Sequence, residues 1–435
     1  MTITILGLGY GDPRALTVQA HDELQRAREI FVRTRAHPTV AALPPHLRVH
    51  SFDDLYESLE SLDAVYTAIA DALMEHATRG DVLYAVPGHP LFGETSTQRL
   101  LARARAQNIP TRLVAGTSFI EAVCSALELD PLARGLQIAD ATELARLYFP
   151  RLDPDQPALI AQVYSRAVAS ACKLTLLVLY PPEHTITRVD AAGTPEQRLV
   201  TCPLAEIDHA DDAGLLTTWY VPPLARPSGF NALGQVVAHL RAPEGCPWDR
   251  AQTHQSLRKD FLEECYEVLD TLDRNDIAHL REELGDLLLH IFLQAQIASE
   301  SSEFLLTDVI ADITAKLVRR HPHVFGDVQV RGTRDIIANW ERIKQSEQND
   351  APHPAALPRA LPALARAQKI ARRHKMRVTL RDVHAAIEKL ARARQRERAL
   401  GEVLFALAAY AASKQMDAES ALRTVANTVE QQKTA

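Results

Sequence analysis

The sequence predicts a multidomain protein in which an N-terminal α/β domain is followed by all-α domains. The chain has 435 residues, which exceeds the size at which a single core stops growing. Its first half alternates short apolar runs with helical patterns, whereas the apolar pattern from Phe230 onward has the period of a helix. Two turn-rich breaks then delimit three predicted domains, residues 1–222, 230–347 and 358–435.

The α/β domain is predicted from its β-branched and apolar runs, which read as strands with amphipathic segments such as Gln98–Ala106 between them. The predicted strands are Thr2–Leu8, Val82–Val86, Leu113–Ala115, Leu159–Val163 and Leu174–Tyr180. The proline-rich stretch Pro222–Gly229 then reads as a linker, because proline and glycine interrupt both helices and strands.

The middle domain is predicted to be helical, with one helix over Leu257–Leu272 and a second over Leu280–Ile297. A second break, Gln348 through Pro362, separates it from a helical tail rich in Ala and Arg.

The tail is predicted to be a diverged repeat of the middle domain, because the segment from Ala399 to Leu407 resembles the segment from Glu283 to Ile291. Ala399 stands where the first copy has Glu283, and the preceding stretch Ile387–Arg394 carries Ala and Arg where the first copy has glutamates. The tail is therefore expected to lack the chemistry of the first copy.

Composition narrows the classes of function. A formal net charge of −7 argues against a nucleic-acid-binding protein, and no apolar run reaches the ~18 residues of a membrane span. The N-terminus reads as a strand and not as a signal peptide, and the five cysteines are scattered without a Cys-x-x-Cys pair. We therefore expect a cytoplasmic protein without a zinc site or a disulfide framework.

An acidic cluster is the most informative feature of the middle domain. Residues 256–290 contain ten acidic and four basic side chains. Glu264 and Glu267 are spaced i,i+3 on one predicted helix, and Glu283 and Asp286 are spaced likewise on the next. None of the four is followed by Lys or Arg at i+4, and apolar residues surround them. A solvated acidic face is one reading; the other is a site for Mg²⁺, which would compensate the partly buried carboxylates.

Five motifs of this domain resemble the MazG nucleotide pyrophosphohydrolases in order and spacing. They are Cys246–Asp249, Glu263–Glu267, Glu283–Asp286, Lys316–Phe325 and Asn339–Lys344. The resemblance implies a Mg²⁺-dependent hydrolysis of an NTP or dNTP to the monophosphate and pyrophosphate. It also implies that Glu264, Glu267, Glu283 and Asp286 hold Mg²⁺ and that Glu263 orients or deprotonates the attacking water.

A basic cluster supplies the complementary charge. Lys316, Arg319 and Arg320 lie within about one helical turn and are candidates for binding the β- and γ-phosphates. The alternative reading is a basic helix end favoured by the macrodipole. Trp340 is a candidate for stacking on the base, and its alternative reading is an apolar anchor in the core.

Three glycine-containing segments carry a second resemblance. Gly7–Pro13, Val86–Pro90 and Ala115–Ala122 are similar to segments of the tetrapyrrole (corrin/porphyrin) methylases, which bind S-adenosylmethionine between two α/β lobes. The similarity spans residues 1–222, and the order of domains resembles bacterial tetrapyrrole methylase–MazG fusion proteins. It implies that Gly88, Gly116, Thr117 and Ser118 contact the cofactor. His89 stands where active methylases have Asp, which leaves open whether this domain methylates anything.

Two other functions remain open at this point. One is an S-adenosylmethionine-dependent tetrapyrrole methyltransferase in which the helical part is a regulatory nucleotide-binding module; the other is a nucleotide sensor without turnover. Because helical pyrophosphohydrolases of this type need a second copy to complete their bundle, we expect either a homodimer or intramolecular pairing of the helical repeats.

Overall fold

The computed structural model describes residues 1–209, 214–349 and 357–434. It contains two compact units, Met1–Leu306 and Thr307–Ala435, each described separately below. The predicted break from Gln348 to Pro362 lies largely outside the described residues. The domain limits 1–222, 230–347 and 358–435 stay predictions.

The first lobe of unit one is an α/β layer around a five-stranded parallel sheet. Strand β1 lies between β4 and β5, and the strand order is β3-β2-β4-β1-β5. Ile3 and Ile5 pack against Leu73 on one face, while Leu6 packs against Leu24 on the other. Burial on both faces explains why these strands read as continuous apolar runs. The elements are β1 (Ile3–Gly7), α1 (Val18–Arg26), β2 (Glu29–Val32), β3 (Arg48–Ser51), α2 (Asp53–Ser58), α3 (Leu62–Ala77), β4 (Val82–Val86), α4 (Thr95–Ala106), β5 (Thr111–Val114) and α5 (Phe119–Ala126).

The second lobe is built on a mixed five-stranded sheet of order β6-β7-β10-β8-β9, in which only the β6–β7 pair is parallel. Trp219 of β10 is buried at its centre beside Ile160 and Cys172. The elements are β6 (Gln137–Asp140), α6 (Ala141–Leu144), β7 (Ala158–Ala161), α7 (Arg166–Leu176), β8 (Thr185–Asp190), β9 (Arg198–Pro203) and β10 (Thr217–Val221).

Four of the five predicted strands are confirmed as β1, β4, β5 and β7, but the predicted strand Leu174–Tyr180 is wrong. Its first part is the last turn of α7, and a turn follows. Ser165 caps α7 by accepting a hydrogen bond from the Val168 amide, and Cys172 and Leu176 bury one face of the helix. The apolar run at 174–180 therefore begins at the end of a helix. The helical period is evident only when the sequence is followed from residue 166.

The rest of unit one is helical, and the irregular residues 222–229 confirm the predicted break before it. Helices α10 and α11 form a hairpin joined by Asn275 and Asp276. Val237, Phe292 and Leu293 form the core beneath this hairpin. The helices are α8 (Phe230–Arg241), α9 (Pro247–Arg250), α10 (Arg258–Arg274) and α11 (Ile277–Glu300).

Unit two is also helical, and within it α15 and α16 both pack on α17. The two stretches that resemble each other in sequence each lie in the second helix of a packed pair, α11 in unit one and α17 in unit two. The helices are α12 (Leu306–Arg320, beginning at the last residue of unit one), α13 (Pro322–Phe325), α14 (Thr333–Asn349), α15 (Ala363–Arg373), α16 (Leu380–Arg392), α17 (Arg396–Ser413) and α18 (Ala418–Thr434). Across the part of the chain that the structure describes, no helix combines the length and apolar character needed to cross a membrane.

Candidate metal and nucleotide site

The α10–α11 hairpin brings three of the predicted metal ligands together. Asn275 ends α10 in the left-handed conformation at φ 55°, and the Asp276 carboxylate caps α11 by accepting from the His279 amide at 3.2 Å. This tight reversal returns α11 alongside α10. Carboxylate oxygens of Glu264, Glu267 and Glu283 consequently lie within 4.8 Å of one another.

The crowded carboxylates change one another's protonation. Partial burial, followed by repulsion from Glu267 and Asp286, raises the pKa of Glu264 to about 7. The pKa of Glu283 is raised for the same reasons, burial first and then the charges of Glu267 and Asp286. A cluster that resists ionisation in this way is one that a bound cation would stabilise.

The chemistry of the donor set fits Mg²⁺. All three groups offer hard oxygen atoms, and oxygens about 2.1 Å from one octahedral ion lie about 3 to 4 Å apart. The three observed oxygens lie within 4.8 Å of one another, close to that range, with Glu267 exposed and the other two half-buried.

The two remaining predicted residues of this region lie beside the cluster. Asp286 is half-buried one turn after Glu283, and its charge contributes to the raised pKa of Glu264 and of Glu283. Its oxygens are not among those that converge within 4.8 Å. Glu263 is exposed and, being adjacent in the helix, points about 100° away from Glu264. The structure thus brings Glu264, Glu267 and Glu283 together. Asp286 lies beside this cluster, and Glu263 is exposed at its edge.

In the predicted tail repeat, a carboxylate is paired with a lysine. Glu402 of α17, which stands where the first copy has Asp286, forms an ion pair with Lys389 of α16 at 2.5 Å. This hydrogen-bonded ammonium group lowers the pKa of Glu402. In the tail hairpin, the carboxylate that aligns with Asp286 is therefore neutralised by a lysine of the same chain.

Arg319 and Arg320, the predicted phosphate-binding arginines, share a single carboxylate in unit two. Arg319 lies 2.7 Å from Oε1 of Glu347, and Arg320 lies 2.5 Å from Oε2 of the same residue. Hydrogen bonds first from Arg320 and then from Arg319 lower the pKa of Glu347 to about 2. Lys316, one turn earlier on α12, is exposed.

Trp340 is half-buried beneath two cations. The guanidinium carbon of Arg320 lies 5.4 Å from the ring centroid, and the ammonium nitrogen of Lys344 lies 4.8 Å from it. Both are cation–π distances. Lys344 and Glu347 were not predicted as site residues, although Trp340, Lys344 and Glu347 follow the i, i+4, i+7 spacing of one helix face, which could have indicated them.

The predicted cofactor loops of the first lobe converge at the carboxyl ends of β1, β4 and β5. A Cβ atom built on Gly7 would lie 2.7 Å from the Cα of Gly116 and closer still to the carbonyl oxygen of Gly88. Gly88 adopts φ +64° and exchanges backbone hydrogen bonds with Gly9. The carboxyl edge of a parallel sheet is where ligands of α/β folds bind, and here the three loops approach so closely that there is no room for a Cβ atom on Gly7 or Gly116.

The hydroxyl groups predicted beside these glycines have protein partners. The Thr117 hydroxyl donates to the carbonyl oxygen of Ala15 at 3.1 Å. Ser118 caps α5, since its hydroxyl accepts from the Ile120 amide while its own amide donates to Glu121. His89 has a local role as well, accepting a hydrogen bond from the Leu91 amide at 3.1 Å.

Comparison with known families agrees with both resemblances seen in the motifs. Residues 2–208 match the family of tetrapyrrole (corrin/porphyrin) methylases, and residues 252–325 match the MazG nucleotide pyrophosphohydrolase domain. The chain is thus a fusion of a tetrapyrrole methylase domain with a MazG domain. It is 41% identical over 375 residues to the Bacillus subtilis protein named uncharacterized protein YabN, covering 85% of this chain and 76% of that one, and it belongs to the same family.

Other relatives match the helical part. A nucleoside triphosphate pyrophosphohydrolase of Escherichia coli is 46% identical over 148 residues, covering 33% of this chain and 56% of that one. A nucleoside triphosphate pyrophosphohydrolase/pyrophosphatase MazG of Thermotoga maritima is 35% identical over 207 residues, covering 45% and 80%. A uroporphyrin-III-C-methyltransferase structure from Thermus thermophilus covers 51% of this chain and 91% of its own, at 21% identity and a TM-score of 0.40, a similarity too weak to support a conclusion.

Proposed function

We propose that this protein is a Mg²⁺-dependent nucleoside triphosphate pyrophosphohydrolase that converts an NTP or dNTP to the monophosphate and pyrophosphate. The observation that carries the proposal is the convergence of three carboxylates within 4.8 Å inside the region that matches the MazG domain. The relatives named as nucleoside triphosphate pyrophosphohydrolases support it. We assign the activity to residues 230–347, with 1–222 as the methylase-like domain and 358–435 as a non-catalytic repeat.

Different carboxylates of the chain would bind the metal and accept the proton. Glu264, Glu267, Glu283 and Asp286 would hold Mg²⁺, which when bound neutralises phosphate oxygens and lowers the pKa of a water molecule. Glu263 would orient that water and accept its proton as the oxygen attacks phosphorus and the bond to the pyrophosphate leaving group breaks. Products are the monophosphate and pyrophosphate, with one water consumed.

The basic and aromatic side chains would bind the rest of the substrate. Lys316, Arg319 and Arg320 would bind the β- and γ-phosphates, because guanidinium and ammonium groups form charge-assisted hydrogen bonds with phosphate oxygens. Trp340 would stack on the base of the nucleotide.

A pyrophosphate assay tests the proposal. The purified full chain is incubated with Mg²⁺ and each of the eight common NTPs and dNTPs, and pyrophosphate is measured. We expect release with the wild type and a loss of at least about 100-fold with Glu264→Gln, because the substitution removes a ligand charge. Glu402→Gln is the matched control, since it changes the corresponding hairpin of the tail and should retain activity. No release with any nucleotide, alike in wild type and Glu264→Gln, refutes the proposal.

A second proposal concerns the first domain, in which Gly88, Gly116, Thr117 and Ser118 would contact S-adenosylmethionine. The observation that favours it is the close approach of the Gly7, Gly88 and Gly116 loops at the carboxyl ends of β1, β4 and β5. Isothermal titration with S-adenosylmethionine is expected to show saturable binding. Absence of heat at millimolar ligand would leave this domain without a cofactor role, and it would also remove the alternative of a tetrapyrrole methyltransferase.

We also propose that the protein works in the cytoplasm, without nucleic-acid or membrane partners. The helical part would pair, either with a second copy of the chain or by intramolecular pairing of its repeats. Apolar side chains on the outer face of the α10–α11 hairpin support pairing, because Leu262 and Leu284 are each about half exposed.

A further inference from the structure

We infer that Glu347 is a positioning residue that holds Arg319 and Arg320 in the orientation needed to bind a triphosphate. The inference rests on the proposed function, in which these arginines bind the substrate phosphates. Nothing in the sequence motifs assigns a role to Glu347, and the side chain lies seven residues after Trp340 on the same face of α14.

The contacts use corresponding edges of the two guanidinium groups. Arg319 donates from Nε to Oε1 of Glu347 at 2.7 Å, with its Nη2 also 2.7 Å from that oxygen. Arg320 donates to Oε2 from Nε at 3.1 Å and from Nη2 at 2.5 Å. Each carboxylate oxygen thus serves one arginine. The Nη1 group of each guanidinium takes no part in these contacts and is the group that would face a phosphate.

Arg320 is fixed from a second direction. Its guanidinium carbon lies over Trp340, and its side chain is 16% exposed, against 54% for Arg319. A free arginine side chain loses conformational freedom when a ligand immobilises it. Because Glu347 and Trp340 already hold the arginines in the folded protein, substrate binding does not have to restrict these side chains further.

The charges leave the cluster attractive to a triphosphate. Lys316, Lys344 and the two arginines contribute four positive charges on α12 and α14. Over the whole of α12 and α14, six basic side chains stand against five acidic ones, Glu347 included, so the net charge of the two helices remains positive. A carboxylate held by two arginines can therefore orient them without abolishing the attraction to phosphate.

The test compares Glu347→Gln with the wild-type full chain in two measurements. The first is the Kd for inorganic triphosphate by calorimetry, and the second is KM and kcat for the NTP with the fastest pyrophosphate release. In Glu347→Gln one of the two carboxylate oxygens is replaced by an amide NH2 group, which donates and cannot accept, so one arginine loses its partner. We expect Kd and KM to rise about tenfold, with kcat changed less than about twofold, because the loss is in substrate positioning.

Glu402→Gln is the matched control, because it breaks another interhelical ion pair of the same unit, Lys389 to Glu402, away from these arginines. Its Kd and KM should equal those of the wild type. If Glu347→Gln does not fold, as judged by circular dichroism, Glu347→Asp is measured instead. That variant keeps the charge but shortens the reach, and we expect it to weaken triphosphate binding about threefold.

The outcomes separate the inference from the proposed function. Unchanged or tighter triphosphate binding in the Glu347 variant overturns the inference, and tighter binding would identify Glu347 as a competitor of phosphate. A wild type that binds triphosphate but releases no pyrophosphate contradicts the proposed function alone. A wild type that does not bind triphosphate at all contradicts the inference directly.

Discussion

Glu264 is held in the folded chain under conditions that oppose its ionisation. Burial and the charges of Glu267 and Asp286 raise its pKa to about 7, although its unperturbed pKa is near 4.5. The side chain therefore favours the metal-free fold only while it is protonated. The protonation of Glu264 therefore couples pH and metal binding to the stability of the folded chain.

The first prediction concerns that linkage. Since the folded-state pKa is the higher one, the stabilising contribution is complete below about pH 4.5 and is lost as the pH rises through about 7. Mg²⁺ replaces the proton, so it should raise the Tm of the wild type more at pH 8 than at pH 5.5. Thermal unfolding with Mg²⁺ or a chelator measures this. A Mg²⁺-induced shift that is independent of pH, or the same in Glu264→Gln, would contradict the metal assignment.

At the scale of elements, the hairpin turn sets the distances within the carboxylate cluster. Asn275 adopts φ 55°, a conformation that β-branched residues strongly avoid. We predict that Asn275→Val costs about 1–2 kcal/mol of stability and also weakens Mg²⁺ binding, because it disturbs the relation of α10 to α11. Denaturant unfolding and metal titration measure the two effects. Asn275→Gly is the control and should preserve both; a Val variant with unchanged stability would show that the turn does not fix the hairpin.

The glycine loops make a second prediction at this scale. A Cβ on Gly116 would lie 2.8 Å from backbone atoms of Gly7, whereas a Cβ on Gly80 would meet nothing within 4 Å. Gly116→Ala should therefore destabilise the first lobe by about 2 kcal/mol or more, and Gly80→Ala should be nearly neutral. Calorimetric unfolding of the two variants compares them. Equal unfolding temperatures would mean that the close approach of the three loops is not maintained in solution.

These helices and strands show which features of the fold and of the site could be predicted from the sequence alone. The spacing of Glu264 and Glu267 is local to one helix, and β4 is a continuous apolar run, so both could be predicted. Strand β9 could not, because its apolar residues Leu199, Val200 and Cys202 do not alternate regularly with polar ones along the strand. The spacing of Trp340, Lys344 and Glu347 could place Glu347 on one face of α14, but its contacts with Arg319 and Arg320 join two helices and cannot be read from spacing along one of them.

At the scale of the whole molecule, charge is concentrated where the proposed chemistry lies. The segment 256–290 has a local balance of −6, from ten acidic and four basic residues, while the chain as a whole carries −7. The remaining 400 residues are therefore nearly neutral. The uncompensated negative charge, which a bound cation would balance, therefore lies in the α10–α11 hairpin.

The prediction for the whole molecule concerns its oligomeric state. Leu262 and Leu284 leave about half of their surface exposed on the hairpin, and burying them would favour pairing. We expect size-exclusion light scattering to give twice the mass of the chain, unless the repeats pair within one chain. Leu284→Glu should disrupt either form of pairing and lower Tm. A monomer whose stability is unaffected by removal of residues 358–435 would contradict both.

Lys389 and Glu402 form their ion pair within the chain, so this contact needs no ion from solution and a chelator should leave it intact. Under the proposed function, the cluster of Glu264, Glu267 and Glu283 would instead depend on the supply of Mg²⁺.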